Sequence, residues 1–195
     1  MRFTKPILIA LLCAFVVPHA AADESAPFGL TWGMSVEKLR EAGVQLRPLQ
    51  DDETGRRYST HDLPKLLGDI DEVILSFGGN DRLYRIEAIS RDYLHDLDGS
   101  RTRARYEALS RALAAKYGAG KETHDINKPW DSPEHFLMGI NLGSSRYYTD
   151  FEGKNVAVRL TIKAKRRDIG TYVLIYRHKE LAKRSGEQPG EGGVL

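Results

Sequence analysis

The residues most able to do chemistry in this sequence are paired histidines and aspartates. Such a pair occurs three times, as His61-Asp62, His95-Asp96 and His124-Asp125. Metal-dependent phosphohydrolases place a His-Asp pair on a helix, where imidazole and carboxylate bind a metal ion together. Here each pair lies near a strand end or in a loop, so the pairs indicate no metal site.

A second acidic motif imitates a calcium-binding loop. Asp96-Leu-Asp-Gly-Ser100 and Glu107 match its first, third, fifth and twelfth positions, but Arg101 stands where such a loop needs glycine. The same residues are typical of a helix start, with Asp98 or Ser100 as the N-cap. We therefore expect a helix N-terminus here and no calcium site.

A metal-dependent periplasmic hydrolase is the enzymatic alternative. Its ligands would come from one stretch of the chain, namely His124, Asp125, Asp131, Glu134 and His135. These residue types bind zinc, but their spacing fits no standard zinc site. The sequence also contains no Gly-x-Ser-x-Gly, no glycine-rich phosphate loop and no His-Glu-x-x-His. We expect a protein that is not an enzyme and that uses no cofactor or metal.

Two surface features are candidates for binding. The first is the segment 119–134, which we predict to lack regular structure and which carries Trp130 between Pro129 and Asp131. Long irregular loops are often functional, and tryptophan is enriched in binding hot spots. The alternative is a loop folded back over the sheet, with Trp130 covering the core.

The second feature is a basic C-terminal region. Residues 154–184 hold ten Lys and Arg against two acids, Asp168 and Glu180. We place four of these cations, Lys163, Lys165, Arg166 and Arg167, at the turn between the last two strands. They form either a docking patch for an anionic partner or a solvated turn whose charges prevent edge-to-edge association.

The first 22 residues have the composition of a secretory signal peptide. Arg2 and Lys5 form a basic start, residues 6–17 are apolar, and Ala20-Ala-Ala22 supplies small residues for cleavage before Asp23. The apolar run is too short for a membrane span, which takes about twenty residues. We therefore expect a periplasmic or secreted protein.

Without this segment the protein is electrically neutral. The whole chain has 29 Lys and Arg against 27 Asp and Glu, and the segment holds two of the basic residues and no acid. A neutral protein has no overall attraction for nucleic acid. Cys13, the single cysteine, lies within the apolar run, so the mature domain must be stabilised by its core alone.

Two helices are predicted in the mature chain. Ser35 is a suitable N-cap for the first helix, Met34 and Leu39 hold the positions of a hydrophobic staple, and Gly43 ends it. The second helix runs from Ser100 to Tyr117. Its apolar stripe consists of Tyr106, Leu109, Leu113 and Tyr117.

Alternating apolar residues predict strands elsewhere. Residues 72–77 and 83–89 flank a Gly-Gly-Asn-Asp turn and form a hairpin, and residues 136–142 and 156–163 also alternate. Residues 171–176 are apolar on both faces, which is typical of a central strand. This pattern predicts an α+β fold, an antiparallel sheet with the two helices packed on one face. We expect one domain over residues 23–184 and a disordered tail over 185–195.

The two halves of the domain contain an internal similarity. Residues 77–86 align with residues 151–160, so that Phe77 matches Phe151 and Arg85 matches Arg159. The alternative is that unrelated hairpins share turn chemistry. A tandem repeat of a helix followed by a hairpin would explain both this match and the similar spacing of Gly43 and Gly118.

The segment Phe28-Gly-Leu-Thr-Trp-Gly-Met-Ser35 resembles the opening of many uncharacterised secreted bacterial proteins. Its Gly33-Met-Ser-Val-Glu37 portion is similar to the start of the first helix in small outer-membrane assembly lipoproteins. Those proteins share a helix-then-antiparallel-sheet fold with the secreted beta-lactamase inhibitor proteins. The resemblance implies a non-enzymatic α+β fold, although this chain has no cysteine after its signal segment.

These observations favour a secreted, non-catalytic binding module. We expect its partner to be a protein or another cell-envelope component, with at most peripheral membrane contact and without nucleic acid. An inhibitor or immunity protein against a secreted hydrolase or toxin is an alternative within the same class.

Overall fold

The computed structural model of the protein describes residues 25–187. The signal peptide predicted over residues 1–22 lies outside this range, as do residues 188–195 of the predicted tail. The four helices are α1 (Val36–Glu41), α2 (Ser100–Tyr117), α3 (Phe136–Asn141) and α4 (Lys179–Ser185). The strands are β1 (Arg47–Pro48), β2 (Gly55–Thr60), β3 (Ile70–Gly78), β4 (Leu83–Ser90), β5 (Tyr93–Leu94), β6 (Lys121–Asp125), β7 (Arg146–Glu152), β8 (Val156–Arg166) and β9 (Ile169–His178).

The strands form one antiparallel sheet, and the fold is α+β as predicted. Their order is β1-β2-β3-β4-β9-β8-β7-β6, and the short β5 also pairs with β9. The predicted hairpin is β3–β4, and the segment expected to be central is β9, which lies between β4 and β8. Its burial on both faces explains why its sequence is apolar throughout.

The first helix begins at its predicted cap, whereas the second does not. The N-cap position of α2 is Gly99, so the expectation that Asp98 or Ser100 is the N-cap is wrong. The Ser35 side chain accepts the N–H of Lys38 at the start of α1, and Gly43 follows the helix with φ of 85°. At α2 the deeper cap is Asp96, which is 1% exposed and accepts the N–H groups of both Arg101 and Thr102. Asp98 accepts only the N–H of Ser100. The acidic motif that imitates a calcium loop is therefore a helix N-terminus.

Side chains from both helices enter one hydrophobic core. All five residues predicted to be buried lie in it, and these are Leu39, Leu109, Leu113, Val158 and Leu160. Along β8, Val158 and Leu160 face this core, so the residues between them face the opposite side of the sheet. We call that side the outer face.

The strand predicted over residues 136–142 is wrong. Residues 136–141 form α3, where Phe136, Leu137 and Gly139 are buried while Leu142 is 53% exposed. Burial at positions 136, 137 and 139 does not follow the two-residue period of a strand, so the alternation in the sequence was a coincidence. A 3-10 turn over Pro133–His135 leads directly into this helix.

The prediction that residues 119–134 lack regular structure is wrong in part. Residues 121–125, Lys-Glu-Thr-His-Asp, form β6 at the edge of the sheet, where none of the five side chains is buried. A strand without a buried face has no apolar alternation, so the sequence pattern did not reveal it. The irregular stretch is confined to residues 126–132.

The predicted boundary of the tail also lies too early. Ser185 is the last residue of α4, and Glu187 is buried against Arg85, with 2.8 Å between Oε1 and Nη1. These residues pack across β3 and β4, where Ser185 lies against Gly78. Residues 185–187 therefore belong to the domain.

The strand order places the two similar hairpins on either side of β9. Along the sheet β2, β3 and β4 precede β9, and β8, β7 and β6 follow it in the reverse order. The aligned residues Phe77 and Phe151 are both buried, as are Ile86 and Leu160. The two hairpins are therefore mirror images about β9, because β4 and β8 are both antiparallel to it and Ile86 and Leu160 face the same core. A rotation does not superimpose mirror-related units, so the arrangement gives the tandem repeat no support, and the repeat stays a prediction.

Candidate functional site

The three His-Asp pairs lie in different parts of the fold. His61 follows β2, where its Nδ1 contacts the carbonyl of Asp71; His95 lies in the turn after β5; and His124 lies in β6. Within residues 25–187 no three His, Cys, Asp or Glu side chains come close enough to hold a metal ion. The set His124, Asp125, Asp131, Glu134 and His135 therefore does not form the zinc site that the hydrolase alternative requires.

Trp130 packs on α3. The side chain is half-buried, and a Cβ placed on Gly139 would come within 2.6 Å of the Trp130 Cβ, so only glycine permits this approach. The edge of the indole also contacts His135, with ring centroids 6.1 Å apart. The loop thus folds back onto α3 and not over the sheet, and Trp130 is not among the residues of the hydrophobic core.

The basic cluster predicted at the last turn divides into two groups. The turn does connect β8 with β9, as expected. Lys165 pairs with Asp92 at 2.8 Å and Arg166 pairs with Asp168 at 3.3 Å, while Arg167 is exposed beside them. Lys163 instead lines a cavity on the outer face of the sheet.

This cavity forms where two neighbouring strands separate. The pairing of β7 with β8 runs from Glu152 and Ala157 to Tyr148 and Thr161 and then stops. Before Tyr148, β7 continues with β6 as its partner, whereas β8 continues past Thr161 to Arg166 with β9 as its partner. The space between the diverging strands is about 440 Å³, within the usual range for ligand pockets. We call it the β7–β8 cleft.

Three cations line the β7–β8 cleft. Arg159 forms a bidentate ion pair with Asp150 at 2.6 and 2.8 Å, and its guanidinium lies 4.3 Å from the centroid of the Tyr148 ring. The hydrogen bonds that Arg159 donates to the Asp150 carboxylate raise the pKa of Arg159. Arg146 pairs with Asp125 at 3.0 Å. As far as residues 25–187 extend, Lys163 makes no ion pair, and no carboxylate side chain lines the cleft.

The remaining lining of the cleft is largely apolar. Ile175 of β9 lies next to Arg159 and is 8% exposed. Ile140 of α3 also lines the cleft. Thr161 lies between Arg159 and Lys163 on the same face of β8. The cleft therefore combines cationic side chains with an apolar floor.

An aromatic cluster supports one wall of the cleft. Tyr147 stacks on His124 with ring centroids 3.7 Å apart and an angle of 5°, and its edge meets Tyr106 and Phe136. Burial raises the pKa of Tyr147, so its hydroxyl stays protonated at neutral pH. These contacts connect β6, β7, α2 and α3. They hold the part of β7 that separates from β8 and forms one wall of the cleft.

Two other grooves of the molecule are more open to solvent. One groove of about 510 Å³ lies beside Trp32, Tyr117 and Glu152, and another of about 510 Å³ lies beside Arg47, His61 and Asp62. Each of them mixes acidic with basic side chains. The β7–β8 cleft is the more enclosed space and the one with cations alone in its lining.

Sequence reasoning identified Lys163 but not the other cleft residues. The alternation along β8 does show that Arg159, Thr161 and Lys163 share a face. Their neighbours Arg146, Tyr148 and Ile175 come from other strands, and the point where pairing stops is a property of the folded sheet. The sequence therefore predicted only the part of the site that β8 contributes.

No protein-family model, curated protein or solved structure matches this chain. Among residues 25–187, no helix has the length and apolar character needed to cross a membrane.

Proposed function

We propose that this protein is an extracytoplasmic binding module that binds a protein partner on the outer face of its sheet, at the β7–β8 cleft. The role is binding rather than catalysis. The observation that carries the proposal is the cleft itself, where three cations surround an apolar floor and no carboxylate from the described chain lines the space. The predicted signal peptide supports the location of the protein outside the cytoplasm.

The surroundings of the cleft favour a partner that carries negative charge. Arg146 is 68% exposed at its side chain, and Arg159 and Lys163 lie on the same face of β8 with Thr161 between them. Charges of one sign around a cleft steer an oppositely charged partner and fix its orientation. The apolar floor then supplies the buried contact area that gives an interface its affinity.

Site-specific photocrosslinking in intact cells tests this proposal. The photoreactive residue p-benzoylphenylalanine replaces Tyr148 in the cleft or, as a matched control, Leu94, which is 49% exposed in β5. We expect a discrete crosslinked adduct from position 148 that is lost when Arg146 and Lys163 are both changed to Gln. Mass spectrometry of the adduct then identifies the partner.

The opposite results are equally clear. Equal adducts from positions 148 and 94 would show that the contact is non-specific, and an adduct that survives the double change would place binding away from the cleft charges. No adduct from position 148 would overturn the proposal. Fractionation of the same cells would show whether the protein lies outside the cytoplasm.

A further inference from the structure

We infer that the β7–β8 cleft binds a carboxylate carried on an apolar stem, with Lys163 pairing with the anion. This inference rests on the proposed function, because it names the group that a partner inserts into the cleft. It depends on which of the three cations already have a carboxylate partner and on the apolar side chains that line the cleft.

The three lining cations are not equally free to take a new anion. Nε and Nη2 of Arg159 are both occupied by Asp150, and Arg146 already bonds Asp125 through Nη2. Lys163 has no carboxylate partner within residues 25–187. A carboxylate that enters the cleft therefore pairs with Lys163 without displacing an existing ion pair, whereas the charges of Arg146 and Arg159 are already balanced by Asp125 and Asp150.

The apolar part of the cleft selects the stem. Ile175 and Ile140 contribute aliphatic surface, and the Tyr148 ring, covered on one side by Arg159, contributes aromatic surface. A free inorganic anion would gain nothing from these side chains, whereas an aliphatic stem gains free energy by leaving water. The lining thus favours an organic carboxylate over a bare anion.

Lys165 provides a matched control for Lys163. The two lysines are two residues apart on the same strand, and a β-bulge between Ala164 and Arg166 takes Lys165 out of the regular pairing that includes Lys163. Lys165 pairs with Asp92 at 2.8 Å and does not line the cleft. Removing either charge changes the net charge of the protein equally, but only Lys163 can change the cleft.

Nuclear magnetic resonance titration of the isotope-labelled mature protein tests the inference. The probes are hexanoate and its uncharged isostere hexanamide. We expect hexanoate to shift the amide resonances of Tyr148, Thr161 and Lys163, while hexanamide has little effect at the same concentration. The change Lys163→Gln should weaken hexanoate binding about three- to fivefold, as expected for one exposed charge pair, whereas Lys165→Gln should leave it unchanged.

A second pair of probes distinguishes the two sources of such a carboxylate. The acetylated tripeptide Ala-Ala-Leu with a free C-terminus is compared with its C-terminal amide. Binding of hexanoate and of the free-acid peptide, but not of the amide, supports both the inference and a protein partner. Binding of hexanoate alone keeps the carboxylate pocket and counts against the proposed protein partner.

Three outcomes would overturn the inference. The first is that hexanoate and hexanamide shift the same resonances equally, and the second is that Lys165→Gln weakens hexanoate binding as much as Lys163→Gln. The third is that hexanoate shifts no cleft resonance at low salt. Resonances of residues far from the cleft serve as the folding control for each variant. If the photocrosslink at position 148 persists in any of these cases, the proposed function stands and only the ligand class is wrong.

Discussion

Arg85 and Arg159 occupy corresponding positions in the two hairpins, yet their surroundings differ. Both lie on the outer face, next to the buried residues Ile86 and Leu160. Arg85 lies between two carboxylates, Glu87 at 3.0 Å and Glu187 at 2.8 Å, under the end of the C-terminal helix. Arg159 has one carboxylate partner and borders an open cleft.

The strands beside the two arginines differ in the same way. β3 and β4 pair along their whole length, from Ile70 and Ser90 to Phe77 and Leu83, with two irregularities. β7 and β8 separate beyond Tyr148 and Thr161. One half of the sheet is thus closed by pairing and by α4, and the other half is left open. We therefore expect the first half to contribute more to the stability of the domain, and the proposed binding site lies in the second half.

The largest expected effect tests whether the halves share one core. Ile86→Ala and Leu160→Ala remove corresponding side chains that are both fully buried, so each should lower the free energy of unfolding by about 2–5 kcal/mol. Chemical denaturation measures both changes. Leu142→Ala, at a side chain that is 53% exposed, is the control and should change stability little.

A large difference between these two variants would contradict the single core. It would mean that one hairpin unfolds before the other, and the denaturation curve of the wild-type protein would then show two transitions.

The second prediction compares the two arginines directly. Arg85→Ala leaves Glu187, whose side chain is 5% exposed, without its cation, and should cost about 1–3 kcal/mol of stability. Arg159→Ala breaks a pair that is about one-third exposed and should cost about 1 kcal/mol or less. Only the Arg159 variant should weaken hexanoate binding in the titration. Equal losses of stability, or a binding defect in the Arg85 variant, would contradict the division into a stabilising and a binding half.

Much of this fold could be predicted from the sequence because its main elements carry strong local patterns. Ser35, Gly43 and Gly118 mark helix ends, and the alternation through Val158 and Leu160 marks β8. The elements that were missed lack such patterns. β6 is polar on both faces, and the apolar residues of α3 fit both a strand and a helix over seven positions.

The candidate site could be predicted from the sequence only for the residues that β8 alone contributes. Lys163 was among the residues expected to bind, with Lys165, Arg166, Arg167 and Trp130. Lys163 differs from its neighbours because Asp92 and Asp168 pair with Lys165 and Arg166, and because β7 diverges from β8 beside Lys163. Both are tertiary features without a local pattern.

A smaller effect compares the N-terminal caps of the two helices. Asp96 is buried, and it accepts two backbone N–H groups and the Thr102 hydroxyl, so Asp96→Ala should cost about 2 kcal/mol. Ser35 accepts one N–H at 3.3 Å on the surface, and Ser35→Ala should cost about 0.5 kcal/mol. Thermal unfolding of both variants measures the difference. Equal costs would mean that α2 does not depend on its buried cap.

The smallest expected effect concerns the turn between β8 and β9. Lys165, Arg166 and Arg167 are exposed. The ion pairs of Lys165 with Asp92 and of Arg166 with Asp168 lie on the surface, where such pairs contribute about 0–1 kcal/mol each to stability. Changing all three to Ser should therefore leave stability nearly unchanged. Since none of them lines the cleft, hexanoate binding at moderate salt should also stay within about twofold of wild type, the residual loss reflecting screened long-range attraction. Cosedimentation with anionic vesicles completes the test, because a docking patch for lipid would lose its binding in this variant while the cleft kept its ligand. Loss of hexanoate binding instead would show that the whole basic turn acts as one site, and the distinction between Lys163 and its neighbours would be wrong.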